Sequence, residues 1–329
     1  MKKTLKYLFI IIAFQSYGQE LNLPVFTQYL ADNDFVVSPT FAGIGNNFRV
    51  RLNGLSQWVG IKNAPQNQAL YADIRIASRS GAGISAYNDS NGNTRQQGLK
   101  FSFAHHVILD YKTEQYLSFG LSYNINMFRI AIENFNSTYD NPTVDPFVTD
   151  DRSITNHNFD VGALYRIKDF WLSANANNIL SKDINVFSDT EPISLLNLQF
   201  YTGYVIKSSN FSQFEPSAFV QYFTSDGRSS TDLNFKYKRF NGRDDFYWVG
   251  ASYRFLNDQV MQPLNIGPMV GFKKSFFYVA YAYQLTLNGL TGYNSGTHAI
   301  TIGFDLLQSL SECPCTKGKN NDMGNRLYQ

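Results

Sequence analysis

Apolar and polar residues alternate with a period of two along much of the chain. In 117–127 the odd positions hold Leu, Phe, Tyr, Ile and Met, and the even positions hold only Ser, Gly and Asn. Residues 277–286 and 99–110 alternate in the same way, with Tyr278, His105 and Ile108 as exceptions. Successive side chains of a strand point to opposite faces, so these segments predict β-strands with one apolar face and one small, polar face.

Further segments alternate less regularly. The clearer ones are 159–168, 196–207, 232–238, 247–255 and 300–306, and the weaker ones are 47–58, 68–77, 81–87, 170–176, 214–223 and 264–272. Together with the three segments above, they predict about fourteen strands. An even count, with roughly 9 to 11 residues needed per crossing, is typical of single-chain bacterial outer-membrane barrels.

The connections between these segments alternate in length. Short ones are expected at 78–80, 110–114, 168–169, 208–210, 240–244 and 273–275. Longer or more polar ones are expected at 59–67, 88–97, 130–156, 177–194, 224–230, 257–263 and 287–297. Outer-membrane barrels pair short periplasmic turns with long extracellular loops, so the alternation predicts an orientation as well as a fold.

Composition separates a membrane barrel from a soluble β-sandwich. Aromatic residues make up 16% of the chain, charged residues another 16%, and the mean hydropathy is -0.27. No stretch reaches the 18 or so apolar residues of a spanning helix. The wet face of a soluble sandwich would carry many charges, whereas the polar positions here are mostly Ser, Asn, Gly, Ala and Thr. We therefore predict an all-β protein, a transmembrane antiparallel barrel of about fourteen strands in the outer membrane.

The two ends of the chain differ from the repeating middle. Three lysines followed by apolar residues 7–14 and small residues 16–18 predict a cleavable signal peptide over 1–18. We expect a periplasmic segment over 19–45, the barrel over 46–308 and a polar tail over 309–329. The tail holds the two cysteines, Cys313 and Cys315. These cysteines are only two positions apart, so a disulfide between them would not close a long loop. We expect an exposed tail, with a redox or cross-linking role as the alternative.

The chain offers no recognisable catalytic set, cofactor loop or metal cluster. His105 and His106 alternate faces on one predicted strand, so only one of them can point into a lumen. His157 lies between asparagines with nothing to fix a catalytic geometry. Asp145, Asp150 and Asp151 fall in the longest loop without EF-hand spacing. The net charge of +2 favours no charged partner. We therefore predict that the protein is not an enzyme and uses no cofactor or metal.

The N-terminal sequence resembles that of a known family. Residues 25–30 read Val-Phe-Thr-Gln-Tyr-Leu, residues 38–43 read Ser-Pro-Thr-Phe-Ala-Gly, and the first strand ends on Gln57-Trp58. This resembles the PorP/SprF family of the Bacteroidota type IX secretion and gliding machinery, although Ser38 and Thr40 depart from its usual residues. The candidate motif and partner-docking residues are Phe26, Thr27, Gln28, Tyr29, Pro39, Gly43, Gln57 and Trp58.

Physically, Pro39 and Gly43 favour a tight bend before the barrel, which would act either as a cap on the periplasmic mouth or as a docking site. The resemblance implies a partner for secretion or surface attachment of a cargo adhesin that carries a type B C-terminal domain. It also implies contact with periplasmic or outer-membrane secretion components. The alternative is a diffusion pore or small-solute channel. For that alternative, the predicted inner-face cations would give weak anion preference or would be paired; they are Lys100, Arg166, Lys207, Lys236, Lys238 and Arg254.

Overall fold

A computed structural model describes residues 33–45, 48–130, 152–180, 195–241, 245–307 and 313–319 of the 329-residue chain. The predicted signal peptide over 1–18, the candidate motif residues 26–29 and the aspartates of the longest predicted loop lie outside these residues. No helix in the described part of the chain is long and apolar enough to cross a membrane.

The described residues form fourteen strands. They are β1 (Phe48–Ser56), β2 (Gln66–Ala77), β3 (Ser80–Asn91), β4 (Thr94–Asp110), β5 (Gln115–Ile130), β6 (Arg152–Ile167), β7 (Phe170–Asn177), β8 (Asn197–Tyr204, continued by Ile206–Ser209), β9 (Ser212–Phe223), β10 (Ser229–Phe240), β11 (Phe246–Leu256), β12 (Gln262–Lys274), β13 (Phe277–Thr286) and β14 (Thr297–Leu306). The break in β8 falls at Val205, whose amide bonds to the Asp169 carbonyl at 3.0 Å and whose side chain is buried.

Every strand pairs antiparallel with its sequence neighbours, and the sheet closes on itself. β1 pairs with β14 from Phe48 opposite Leu306 to Ser56 opposite His298. This closed antiparallel barrel confirms the predicted fold class. Closure leaves no sheet edge along the membrane, so no strand has to expose its backbone groups to lipid.

The alternation of side chains sorts the wall into two faces, as predicted. On β5, Phe119 and Leu121 point outward and are 52% and 49% exposed, whereas Ser118 and Ser122 point inward and are at most 1% exposed. Similar outward apolar residues recur on the other strands. The interior is lined by Ser, Asn, Gln, Gly and paired charges, and it also contains a buried aromatic cluster around Trp248 and Tyr278.

One predicted connection is wrong. Residues 88–97 are not a long loop, because β3 and β4 continue through them to a two-residue turn at Gly92 and Asn93. Gly92 has φ 58°. Glycine at the first of the two turn residues favours a tight hairpin, which lets both strands run on past the bilayer. The turns that join β2 to β3, β4 to β5 and β6 to β7 are short, as expected, and mark the periplasmic end.

Candidate functional site

Residues 33–45, here called the plug, lie inside the lumen near its periplasmic end. Two 3-10 turns form it, over Asp34–Val36 and Pro39–Phe41. The side chains of Asn33 and Ser38 cap these turns, each accepting a hydrogen bond from the amide two residues further on, at 3.2 and 3.1 Å. The missing amide of Pro39 is harmless at the start of its turn. Gly43, with φ 76°, then bends the chain towards β1.

Glycines on the inner wall allow the plug backbone to come close. Four of them on three strands face the plug: Gly81, Gly83, Gly120 and Gly162. A methyl group on Gly120 would lie 2.6 Å from the Thr40 amide nitrogen, well inside van der Waals contact. A methyl group on Gly81 would overlap the Ala42 carbonyl. The inner wall of β3, β5 and β6 therefore forms a groove that fits the plug only because it lacks side chains there.

His106 fastens the plug to β4. Its Nε2 lies 3.0 Å from the Ala42 carbonyl oxygen, and its Nδ1 lies 2.8 Å from the Ser118 hydroxyl. A carbonyl can only accept, so Nε2 carries the proton and Nδ1 accepts from the hydroxyl. Its neighbour His105 points outward and bonds to Ser80 at 3.0 Å. The prediction that only one of the two histidines faces the lumen agrees with this arrangement.

The end of the plug is held by charged side chains of β1 and β2. The Gly43 amide donates to Asp73 at 3.1 Å, and Arg75 donates to the Gly45 carbonyl at 2.9 Å. Arg49 pairs with Asp73 at 2.9 Å, which balances the charge of this buried carboxylate. Removing either partner would leave an uncompensated charge in the interior.

Apolar side chains also hold the plug against the inner wall. Phe35, Val37, Phe41 and Ile44 of the plug are buried against one stretch of the inner wall. The wall residues of this cluster are Ala104, Leu164, Trp171, Tyr201, Val205 and Phe219. Full burial of each large side chain contributes about 1.5 to 3 kcal/mol. The plug is therefore a folded part of the barrel interior.

The C-terminal segment 313–319, here called the latch, packs beneath the plug. Cys313 and Cys315 form a disulfide across a 3-10 turn, and Cys315 is fully buried. Arg166 donates to the carbonyls of Cys315 and Lys317, the latter at 3.1 Å. The Gly45 amide donates to the Thr316 carbonyl at 2.8 Å, which ties latch to plug. The expectation of an exposed tail is therefore wrong for Cys313, Cys315 and Thr316, which are buried because Arg166 and the plug give this backbone partners, whereas Lys317 is exposed.

Lys319 joins three parts of the molecule. Its Nζ lies 2.6 Å from Asp34 of the plug, 3.4 Å from Glu215 of β9 and 3.6 Å from the centre of the Trp171 ring. Burial alone would lower the pKa of Lys319, but the two carboxylates outweigh it and raise the pKa above its ordinary value. The amine is therefore a cation that holds the latch, the plug and the wall together.

The predicted inner-face cations are mostly paired. Lys100 lies 2.5 Å from Asp160, Lys207 lies 2.7 Å from Asp169 and Lys236 lies 3.1 Å from Glu215. Arg254 pairs with Asp232, Arg166 binds the latch, and Lys238 lies over the Phe246 ring. Most of these cations are therefore paired with carboxylates, and they do not form a stripe of free positive charge.

The structure separates the predicted motif residues. Pro39 and Gly43 belong to the plug. Gln57 and Trp58 lie at the opposite, extracellular end of β1, where the Gln57 amide bonds to the Pro65 carbonyl at 2.9 Å. A docking role for any of these residues stays a prediction. Sequence reasoning missed Asp34, Arg166, Trp171, Glu215 and Lys319 as a connected group, since no spacing along the chain relates them.

The described side chains do not assemble a metal site. No group of three or more His, Cys, Asp or Glu side chains among them could hold a metal ion. His157 bonds to the Tyr123 hydroxyl at 2.7 Å on the outer face.

These features define a class: a fourteen-stranded outer-membrane β-barrel whose lumen holds two segments that flank the strands, residues 33–45 and 313–319. The model of the family described as type IX secretion system membrane protein PorP/SprF matches residues 18–304, and the chain belongs to this family. The resemblance read from the N-terminal residues is thereby confirmed. A search among curated proteins finds no significant match.

Solved outer-membrane barrels share the fold at low identity. The CymD monoaromatic hydrocarbon channel is 10% identical, with a TM-score of 0.50 over 90% of this chain and 95% of that one. The Ralstonia pickettii toluene transporter TbuX is 9% identical, with a TM-score of 0.49 over 83% and 92%. Acinetobacter baumannii Omp33 is 11% identical, with a TM-score of 0.46 over 80% and 100%. The likeness to CymD supports the barrel fold.

Proposed function

We propose that this barrel is a partner for the secretion or surface attachment of a cargo adhesin and not a path for small solutes. The observation that carries the proposal is the plugged lumen. The plug is fixed by wall glycines, by His106 and Asp73, and by an apolar cluster, and the latch closes it from below. A wide barrel filled in this way presents surfaces to other proteins at both ends. No catalytic group or cofactor enters the proposal.

The two ends suit different partners. At the extracellular end, long connections offer surfaces to an exported domain carrying a type B C-terminal domain. At the periplasmic end, the plug and the latch lie together beside the short turns, with Thr316 bonded to the Ser78 carbonyl at 3.4 Å and to the Gly45 amide at 2.8 Å. These two segments offer an attachment point for periplasmic secretion or gliding components.

Deletion of the gene tests this proposal. We expect one large adhesin to be lost from the cell surface, measured by protease shaving and mass spectrometry of whole cells, and to return on complementation with the full chain. Normal surface levels of every adhesin in the deletion strain would contradict the proposal.

The alternative, a diffusion pore, makes a different prediction. The purified barrel in a planar bilayer should be silent if the plug stays in place. A variant lacking residues 33–45 should conduct, which shows that the assay detects an open lumen. Steady conductance by the intact protein would favour the pore.

A further inference from the structure

The sixth strand extends beyond its neighbour on one side. β6 pairs with β5 along its whole length, from Arg152 opposite Ile130 to Ile167 opposite Gln115. With β7 it pairs only from Val161 to Ile167. Within the described part of the chain, residues 152–160 therefore have a neighbouring strand on one side only. Among the described strands, this leaves a notch at the extracellular rim of the wall, beside an edge of β6.

Asn158 turns the chain away from this edge. Its Oδ1 accepts from the Leu180 amide at 2.8 Å, and its Nδ2 donates to the Leu180 carbonyl at 3.1 Å. The last contact in line with β7 is the Ile179 amide on the Phe159 carbonyl, at 3.0 Å. The Asn158 side chain thus bonds to the backbone groups of Leu180. In a longer β7, those groups would have bonded to the backbone of β6.

The backbone of β6 above this point faces the notch. Residues two apart on a strand turn their amide and carbonyl groups to the same side. The Phe159 carbonyl points towards β7, so the backbone groups of Ser153, Thr155 and His157 point the same way. Among the described residues nothing bonds to them there.

The edge lies above the hydrocarbon layer. About ten residues of a tilted strand cross the bilayer, and counting from the periplasmic end of β6 brings the outer boundary close to His157. The outward face agrees, because it changes from Val161 and Phe159 below this point to Thr155 and Ser153 above it. The pair formed by Tyr123 and His157 sits where interfacial aromatic residues are usual.

One buried side chain marks the same place. Asn156 is 9% exposed and points into the barrel beside the edge, and neither its Nδ2 nor its Oδ1 has a hydrogen-bond partner in the described structure. Buried amides are normally bonded. A strand lying against β6 would bring a side chain directly opposite Asn156.

We infer that residues 153–157 of β6 accept an extended segment of the exported adhesin, which adds to the barrel as an antiparallel strand in line with β7. Unpaired strand edges attract such additions, and main-chain hydrogen bonds give them their affinity. The segment carries an amide or hydroxyl side chain opposite Asn156 and no proline in register with Thr155. This inference rests on the proposed function, since the adhesin supplies the strand.

The first test compares two substitutions of one residue. Thr155→Pro removes an edge amide, and the edge of a sheet tolerates proline. Thr155→Val keeps the backbone and changes only an outward side chain. The probe is the purified C-terminal domain of the adhesin that the deletion strain loses. We expect Thr155→Pro to weaken its binding about tenfold or more, and Thr155→Val to leave it within about twofold. Equal binding by both variants would overturn the inference.

The second test does not depend on a proline variant that folds. Hydrogen exchange on the intact barrel should be fast at the amides of Ser153, Thr155 and His157 and should slow when the adhesin domain is added. Protection in the free barrel would mean that residues 181–194 or a second copy of the chain already occupies the edge, and would overturn the inference. The gene deletion tests the proposed function, whereas hydrogen exchange at these amides tests the strand edge. The two proposals can therefore fail separately.

Discussion

Replacing Lys319 by Ala should loosen the plug without disturbing the wall. Lys319 lies outside the strands, and its amine is the one described contact that touches the plug, β9 and the Trp171 ring together. Removing it leaves Glu215 paired with Lys236 at 3.1 Å and leaves Asp34 bonded to the Tyr201 hydroxyl at 3.0 Å. Both carboxylates therefore keep a partner, which limits the effect.

The size of that effect follows from these contacts. A charge pair near 4 Å gives about 4 kcal/mol at an effective dielectric constant of about 20, and the cost of burying the amine offsets part of it. The cation above an aromatic ring adds about 0.5 to 2 kcal/mol. With both carboxylates still paired, we expect a net loss of about 2 kcal/mol, which raises the fraction of molecules with a displaced plug about 30-fold.

A buried reporter thiol measures this fraction. Thr40→Cys places a thiol at a fully buried plug position, in a chain whose two native cysteines are bonded to each other. Its rate of maleimide labelling in detergent reports how often the plug leaves its seat. The matched control is Lys317→Ala, because Arg166 contacts the Lys317 carbonyl and not its side chain. A labelling rate unchanged by Lys319→Ala, or raised equally by Lys317→Ala, would refute the reasoning.

Three further outcomes are expected. Gly120→Ala should displace the plug at a cost of about 1 to 3 kcal/mol and raise conductance in planar bilayers, whereas Gly54→Ala, whose added methyl group meets its nearest neighbour at 3.5 Å, should not. The pKa of Lys319 is raised in the folded state, so the amine stabilises the seated plug fully below the ordinary pKa of 10.5, and this stabilisation is lost as the pH rises above it. Conductance should therefore stay flat from about pH 7 to about pH 10 and then increase. Replacing Cys313 and Cys315 by Ser should weaken the latch by about 1 to 2 kcal/mol, the small amount that so short a loop allows, and a larger fall in thermal stability would argue against this estimate.

The wall of the barrel could be predicted from the sequence because its signal is local. Alternation over 117–127 corresponds to β5, and the weakly patterned segment 264–272 proved to be part of β12. The long-loop prediction for 88–97 failed because polar side chains there continue two strands beyond the lipid. Polarity marks the end of the membrane and need not mark the end of a strand.

The sequence by itself determined an all-β outer-membrane barrel, its approximate strand number, its orientation and its family. Only the tertiary structure decided how the lumen is filled. Ser38 meets Asn175 across 137 positions, and Arg166 meets Cys315 across 149. Such contacts join an irregular segment to a closed wall and leave no period in the sequence. They depend on glycines, capping side chains and one lysine that come together only after fourteen strands have closed.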